Sequence, residues 1–480
     1  MQDCKMWIGG AWVDAESERT FTVRNPATGD EIARLPQGGP ADADRAVRAA
    51  RAAFVGWSKT PQAERSRILN QIAALIRAEV DELARIETIE HGMPFESAKK
   101  VLTFASHAME FAAAAARTLR GEVIRAFPNT VTYLEREPVG VCALITPWNV
   151  PLFMICAKLS TALAAGNTCV VKPPSISSLI AVRFAELLAR SDLPPGVANI
   201  VTGPGGSLGD ALCSHPMVDL VGMTGSSETG KAIIASSSRT IKRLVLELGG
   251  KNPAIVLPDA DLDRAAEVLG HHQFFNSGMT CGSPGRYYVH ESVHDAFVDR
   301  LVARARKVVV GDPSDPATTM GPVVSAEHRA SIENHIRSGV DEGARLVLGG
   351  ERPTAPPLDR GYYVLPTVFT GVTQTMQIAR EEIFGPVACV IRFGDGDDVI
   401  ALANDNVYGL CGSVWTANLA KGLRMGAELR VGSFWVNQHN HLAPEVPWGG
   451  IRESGLGKEA SIEGLKEFTQ MKLVSYELIG

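Results

Sequence analysis

The sequence lacks any pair of cysteines at motif spacing. Its eight cysteines stand singly at 4, 142, 156, 169, 213, 281, 389 and 411, which leaves zinc, iron–sulfur and dithiol chemistry without a ligand pattern and suits a reducing cytoplasm. No metal site is expected. No stretch of about 18 uncharged apolar residues occurs, and the N-terminal MQDCKMWIGGAWVD carries charge at once without an apolar core. The protein therefore reads as neither exported nor membrane-bound. A basic excess is missing too: 47 Lys and Arg against 53 Asp and Glu give a net charge of −6. That is the wrong sign for a protein that holds nucleic acid by displacing phosphate counterions. Internal repeats, charge runs and low-complexity linkers are absent. With 46 Gly and 28 Pro in 480 residues, composition stays well below the roughly 25 to 30 % that marks disorder.

What remains is an ordinary globular chain, 45 % hydrophobic and long enough for several domains. Residues 41–56 place Ala46, Val47, Ala50, Ala53 and Phe54 on one helical face, and 63–90 repeat the pattern with Ile68, Ile72, Leu75, Ile76, Leu83 and Ile86. Short β-branched runs follow at 139–145, 167–172, 198–203, 218–225, 243–250 and 252–257, with helical stretches at 178–190, 206–214 and 227–237 between them. Alternation of this kind predicts a parallel, doubly wound α/β sheet. A second series begins near 250 and ends with IRF (391–393) and FWVN (434–437), which predicts a second α/β domain. TVTYLERE (130–137) and MKLVSYEL (471–478) read as strands outside both series.

Such a sheet suggests a nucleotide site, yet G-x-G-x-x-G is missing; Gly203-Pro204-Gly205-Gly206-Ser207-Leu208 lacks the third glycine and reads as a loop. VGMTGSSETG (221–230) offers strand, turn and helix start instead, with Gly225 free to let a pyrophosphate approach the helix N-terminus. A plain structural turn fits that spacing equally. Cys281 sits among small and polar residues in FFNSGMTCGSPG rather than in an apolar run. Glu247 ends the strand RLVLE, where open α/β sheets place ligands, although a salt-bridged strand end would look the same. Asn149 in Thr146-Pro147-Trp148-Asn149 brings an amide to a similar strand end, where a turn residue is also expected.

Together TPWN (146–149), KPPS (172–175), TGSSETG (224–230), ELGGK (247–251), the Cys281 segment, EEIFGPV (381–387) and PWGGIRESGLGKE (447–459) resemble, in order and spacing, the aldehyde dehydrogenase superfamily of the non-CoA-acylating type. The resemblance runs over essentially the whole chain. It implies a Rossmann-like cofactor domain (1–120 and 139–249), an α/β catalytic domain (250–468) and a small β oligomerisation element (121–138 and 469–480) in a homodimer or homotetramer. It also implies a chemistry. Cys281 would attack an aldehyde; the Asn149 amide and the Cys281 backbone N–H would hold the oxyanion; hydride would pass to NAD or NADP; and Glu247 would activate water against the resulting thioester. The family's glutamate at this position favours a free carboxylic acid as product. Lys158 and Glu459 match a proton relay. Lys172 and Glu382 match ribose contacts, Ser226 a pyrophosphate contact and Phe384 a neighbour of the nicotinamide ribose, with Trp148, Gly225 and Ser175 in the same cofactor set.

Departures from the commonest family pattern bear on specificity. Val150 and Ala157 stand where aromatics are frequent, and Met279 replaces a glutamine two before the nucleophile. By position, Val150, Met154, Ala157, Met279, Thr280 and Trp448 would line a substrate tunnel without Lys or Arg, which favours a bulky apolar aldehyde over a small polar semialdehyde. His439 and His441 would lie at its mouth or as solvated loop residues. Ser175 replaces a glutamate that often holds the adenosine ribose in NAD-preferring relatives, so NADP is expected to be used alongside NAD. A non-catalytic protein keeping this fold, or an esterase using the same thiol, would fit less of the pattern.

Overall fold

The computed structural model describes residues 2–478. Four sheets organise it. The larger parallel core has the strands Val141–Ile145, Thr168–Lys172 and Ala198–Ile200 on one side and Leu220–Thr224 and Arg243–Glu247 on the other, all mutually parallel. Antiparallel strands extend both edges: Met6–Ile8 and Ala11–Val13 beyond Ala198–Ile200, and Gly455–Leu456 beyond Arg243–Glu247. Strand order therefore reverses between Val141–Ile145 and Leu220–Thr224. In open α/β sheets the crevice for a ligand lies at that reversal, off the carboxyl ends of the strands. TPWN follows the first of these two strands and Gly225-Ser226 the second.

The second sheet runs Arg345–Leu348, Thr367–Thr370, Val387–Phe393, Pro284–His290, Asn252–Val256, Cys411–Trp415 and Ser433–Val436, parallel except for its first edge strand. Glu247 ends a strand of the first sheet, and Cys281 stands three residues before a strand of the second. The carboxyl edge of one sheet thus faces the amino edge of the other. The expected outlying strands pair with each other, Thr469–Glu477 against Thr130–Pro138, and Glu122–Ile124 completes a three-stranded sheet. Residues 479–480 of the segment expected there lie outside the described residues. A further small sheet of Gln2–Asp3, Thr20–Arg24 and Glu31–Pro36 had no counterpart in the sequence reading.

The expected helical faces form α1 (Pro40–Trp57), α2 (Gln62–Ala78) and α3 (Val80–His91), with Val47, Ile68, Ile72, Ile76 and Leu83 buried. A fourth helix, α4 (Phe95–Ala116), follows, and α5 (Pro151–Ala165) leaves the TPWN turn. Pro151 presets φ at the first position of α5, and Gly166 ends it in the left-handed region at φ 96°. Leu152, Ile155, Leu159 and Leu163 of α5 are fully buried, each contributing about 2 kcal/mol of apolar transfer. The i, i+3, i+7 set Met154, Ala157 and Thr161 faces the cavity described below.

Before Cys281 the chain makes a left-handed turn: Asn276, Ser277 and Gly278 have φ of 50°, 55° and 73°. The turn is held by bonds from Asn276 Nδ2 to Asn149 O (2.8 Å) and from Ser277 Oγ to Gly321 O (2.9 Å). A Cβ on Gly278 would lie 2.1 Å from Gly385 O, so this segment and EEIFGPV are locked backbone to backbone. Gly278→Ala should therefore cost more than about 2 kcal/mol, combining a left-handed alanine with a backbone clash. Chemical denaturation of the two proteins measures it, and an unchanged midpoint would show that the segments are free to separate.

Candidate active site

One cavity of about 430 Å³ lies between the two sheets. Cys281, Glu247, Asn149 and Glu459 all line it. Glu247 is 1 % exposed, and its carboxyl accepts from the Trp448 indole N–H (Nε1 to Oε1, 3.2 Å), with Cys281 in the same cavity lining. Burial, reinforced by the charge of Glu459, pushes Glu247 up to about 8; the neighbouring Cys281 thiol, the charge of Lys158 and the bond from Trp448 pull it partly back. Burial also holds the Cys281 thiol well above its ordinary value, with the Glu247 charge adding to the effect. The resting thiol is thus protonated, beside a group that can take its proton.

The backbone around the thiol is fixed by amides. Asn252 Nδ2 donates to Cys281 O (2.7 Å) and Ser283 O (2.8 Å), while its Oδ1 accepts from Cys411 N (3.2 Å). Asn149 Nδ2 donates to Met279 O at 3.0 Å, which aims the amide at the same loop. Behind Glu247, Lys158 and Glu459 form a buried ion pair. Thr224 and the Trp448 backbone also contact Glu459.

On the side of the strand-order reversal, Trp148, Gly225, Ser226, Glu382 and Phe384 line the cavity. Ser226 caps the 11-residue helix Ser227–Ser237 by accepting from Thr229 N. The Glu382 carboxyl accepts from Gly250 N (2.9 Å) and is raised to about 7 by burial, with that bond and Lys251 opposing. The carboxyl packs closely on Gly249 of ELGGK: a Cβ there would fall 2.2 Å from Glu382 Oε2, so any side chain would have to push the carboxyl aside. Phe384 takes φ 53°, unusual for an aromatic, and meets Trp148 edge to face at 5.2 Å. Lys172 and Ser175 lie outside the cavity lining, on the same carboxyl edge. Lys172 Nζ donates to Pro173 O (3.0 Å) and burial draws it down to about 8. The Ser175 hydroxyl donates to Gly203 O (2.8 Å), so it is not the free donor its position suggests.

Val150, Met154, Ala157, Thr280 and Trp448 line the opposite half. Met279 does not. Its side chain is fully buried in the core of the second sheet, because its carbonyl, taken by the Asn149 and Asn276 amides, faces the site and turns the side chain away. His439 is also displaced from its expected place at the tunnel mouth or in solvent: it is 1 % exposed, with Nδ1 at 2.9 Å from Ser413 Oγ and Nε2 at 2.9 Å from Gly282 O. Trp415 Nε1 can only donate, to Ser413 Oγ (3.2 Å); the serine proton then goes to Nδ1, and the ring donates Nε2–H to Gly282 O. Burial draws this histidine down to about 4. His441 is exposed and outside the cavity lining.

The sequence reading missed one whole wall. Val101, Phe104, Ala108 and Phe111 of α4 line the cavity, and Phe104 meets Phe153 at 5.2 Å. Their i, i+3, i+7, i+10 spacing was a visible signal. His328, which donates Nε2–H to Phe384 O (2.8 Å) and packs on Trp148, gave none. Among the described residues the cavity has no Lys or Arg in its lining, no His, Cys, Asp and Glu cluster could hold a metal, and no helix is long and apolar enough to cross a membrane.

A thiol and a carboxyl group share a cavity at the carboxyl edge of a doubly wound sheet, the arrangement of an α/β oxidoreductase. The chain belongs to the aldehyde dehydrogenase family, whose model matches residues 12–474. It is 41 % identical over 472 residues to a betaine aldehyde dehydrogenase of Bacillus subtilis (strain 168), covering 98 % of this chain and 96 % of that one. Its fold superposes on an NAD-dependent aldehyde dehydrogenase from Sinorhizobium meliloti with a TM-score of 0.97 at 39 % identity, over 99 % of this chain and 95 % of the other. A 3,6-anhydro-L-galactose dehydrogenase solved with NADP matches with a TM-score of 0.96 at 36 % identity, over 99 % and 100 %. The protein is accordingly an NAD(P)-dependent aldehyde dehydrogenase.

The raised thiol has a direct consequence. Alkylation of Cys281 by iodoacetamide should keep accelerating past the roughly 8.5 of a free cysteine as pH rises. A rate already flat at neutral pH would contradict the raised thiol.

Proposed function

We propose that Cys281 attacks the aldehyde and that Glu247 activates water against the thioester, so that the product is the free carboxylic acid. The observation that carries this reading is the shared cavity, whose lining brings together Cys281, the 1 % exposed Glu247 and Asn149. As the thiol adds, its proton passes to Glu247 and negative charge grows on the former carbonyl oxygen. The second N–H of Asn149 and the Cys281 backbone N–H stabilise that charge; losing one such donor typically costs about 3 kcal/mol. Glu247 passes the thiol proton outward through the pair Lys158 and Glu459, which frees it to take a proton from the water that attacks the thioester.

The N-terminus of Ser227–Ser237, entered through Gly225, fits a pyrophosphate, and the half-buried Glu382 carboxyl in the same lining as Phe384 and Trp148 fits a ribose. A bound nicotinamide dinucleotide supplies the hydride acceptor. Residues 1–120 and 139–249 serve as the cofactor domain and 250–468 as the catalytic domain. The strands within 121–138 and 469–480 serve as the contact with a second copy in a dimer or tetramer; Val123, Met471 and Leu473 there are more than half exposed. Eight free cysteines support a cytoplasmic setting.

For substrate, the apolar wall of Phe104, Phe111, Phe153 and Val150, with no Lys or Arg, supports a bulky apolar aldehyde, aromatic or medium to long aliphatic. One observation favours a second reading: aromatic faces near carboxylates also suit a cationic aldehyde, the kind named for the Bacillus subtilis relative. For cofactor, the missing negative charge at Ser175 supports use of NADP as well as NAD, an argument that rests on the lost repulsion because the hydroxyl is already engaged.

Cys281→Ala should abolish aldehyde oxidation, and Glu247→Gln should leave a rapid burst of reduced cofactor followed by a slow steady state. Activity in the first variant above a few per cent, or equal loss of both phases in the second, would remove the respective role. Comparison of kcat/KM for benzaldehyde, a medium-chain aldehyde, betaine aldehyde and succinic semialdehyde tests the pocket; a clear preference for the semialdehyde defeats both substrate readings. Ser175→Glu should shift preference toward NAD by about tenfold, on the order of 1.4 kcal/mol, and negligible NADP activity in the wild type refutes the cofactor reading.

A further inference from the structure

Trp448 meets two glutamates of the site in different ways, one at its carboxylate and one at its backbone. Its indole Nε1–H reaches Glu247 Oε1 at 3.2 Å. Its backbone pairs with Glu459 through two bonds, N to Glu459 O (2.9 Å) and Glu459 N to Trp448 O (2.7 Å). The ring stacks on Trp435, with centroids 6.4 Å apart and planes at 30°. Backbone and ring are therefore both fixed, and the N–H is aimed by that geometry. An indole N–H is a donor only. It can serve a carboxylate but cannot take a proton from it.

We propose that Trp448 is a positioning residue for the acyl-enzyme step, holding the Glu247 carboxylate in place through its indole N–H. The proposal rests on the reading of Glu247 as the base. The Trp448 N–H donates to the Glu247 carboxyl in the resting state, and Cys281 lines the same cavity. Acylation of Cys281 leaves that indole bond in place when the base has to orient water. The other ionisable groups facing Glu247 are Cys411, Glu459, which disfavours its ionised form, and Lys158, which favours it. A hydrogen bond to the ionised carboxyl also favours that form, so loss of the indole should move the Glu247 titration upward.

Trp448→Phe keeps an aromatic wall and removes the donor. Wild type, Trp448→Phe and Glu247→Gln are loaded at Cys281 with p-nitrophenyl acetate, without dinucleotide. Loss of the acetyl group is then followed by intact-protein mass between about pH 6 and 9. In Trp448→Phe, acetyl loss at pH 7 should slow about three- to tenfold and its rising limb should move to higher pH, while loading stays within about twofold. Burst and steady-state rates of aldehyde oxidation should split in the same sense. If Glu247→Gln is slowed but Trp448→Phe keeps the wild-type rate and limb, the proposal falls and the base assignment stands. If Glu247→Gln loses acetyl at the wild-type rate, the base assignment itself falls. Equal slowing of loading and loss in Trp448→Phe marks general damage to the site and also overturns the positioning role.

Discussion

Taking a carboxyl group out of water is costly unless neighbours replace its hydration, and Glu247 is almost wholly buried where the two sheets meet. Its replacements are a thiol, an indole N–H and the positive end of a buried ion pair, each from a different part of the chain. That requirement ties Arg243–Glu247 of the first sheet to the loop before Pro284–His290 of the second and to the segment around Trp448 and Glu459. The result is a carboxyl group poised near 8, able to change protonation state during turnover rather than fixed as a salt bridge.

The same economy appears around Cys281. A left-handed turn of three residues and the Asn252 carboxamide, with all three of its bonds made, hold the Cys281 loop. The bond from His439 to Gly282 O secures the next carbonyl. A loop tied at successive carbonyls has little freedom to move its thiol. This rigidity is what an oxyanion site needs, because its donors must already point at the charge before the charge exists.

The lining changes along the cavity. The half beside the strand-order reversal carries a helix N-terminus and the half-buried Glu382 carboxyl; the other half is apolar, walled by α4 and α5. Cys281 lies between them. An aldehyde entering from the apolar half and a dinucleotide lying in the other would meet only at the thiol, an arrangement that keeps bulk water from the reacting carbon without a metal ligand set in the described residues.

The five parallel strands of the first sheet, three strands of the second, the outlying strand pair and the segments bearing Cys281, Glu247 and Asn149 were legible in the chain itself, because hydrophobic period and motif order are local properties that survive folding. Residues whose position depends on where another segment packs were not legible. Met279 was expected in the tunnel and is in the core, since two distant amides claim its carbonyl and so orient its side chain. His439 looked like a loop histidine and is a buried donor, since Ser413 and Gly282 meet it only in the folded state. The α4 wall carried its own helical spacing, yet only packing decides that one face of a helix borders a cavity and another the core. The sequence determined which groups are present and in what order; the tertiary structure decided which of them share a hydrogen bond, because that depends on distances across hundreds of residues that no local pattern encodes.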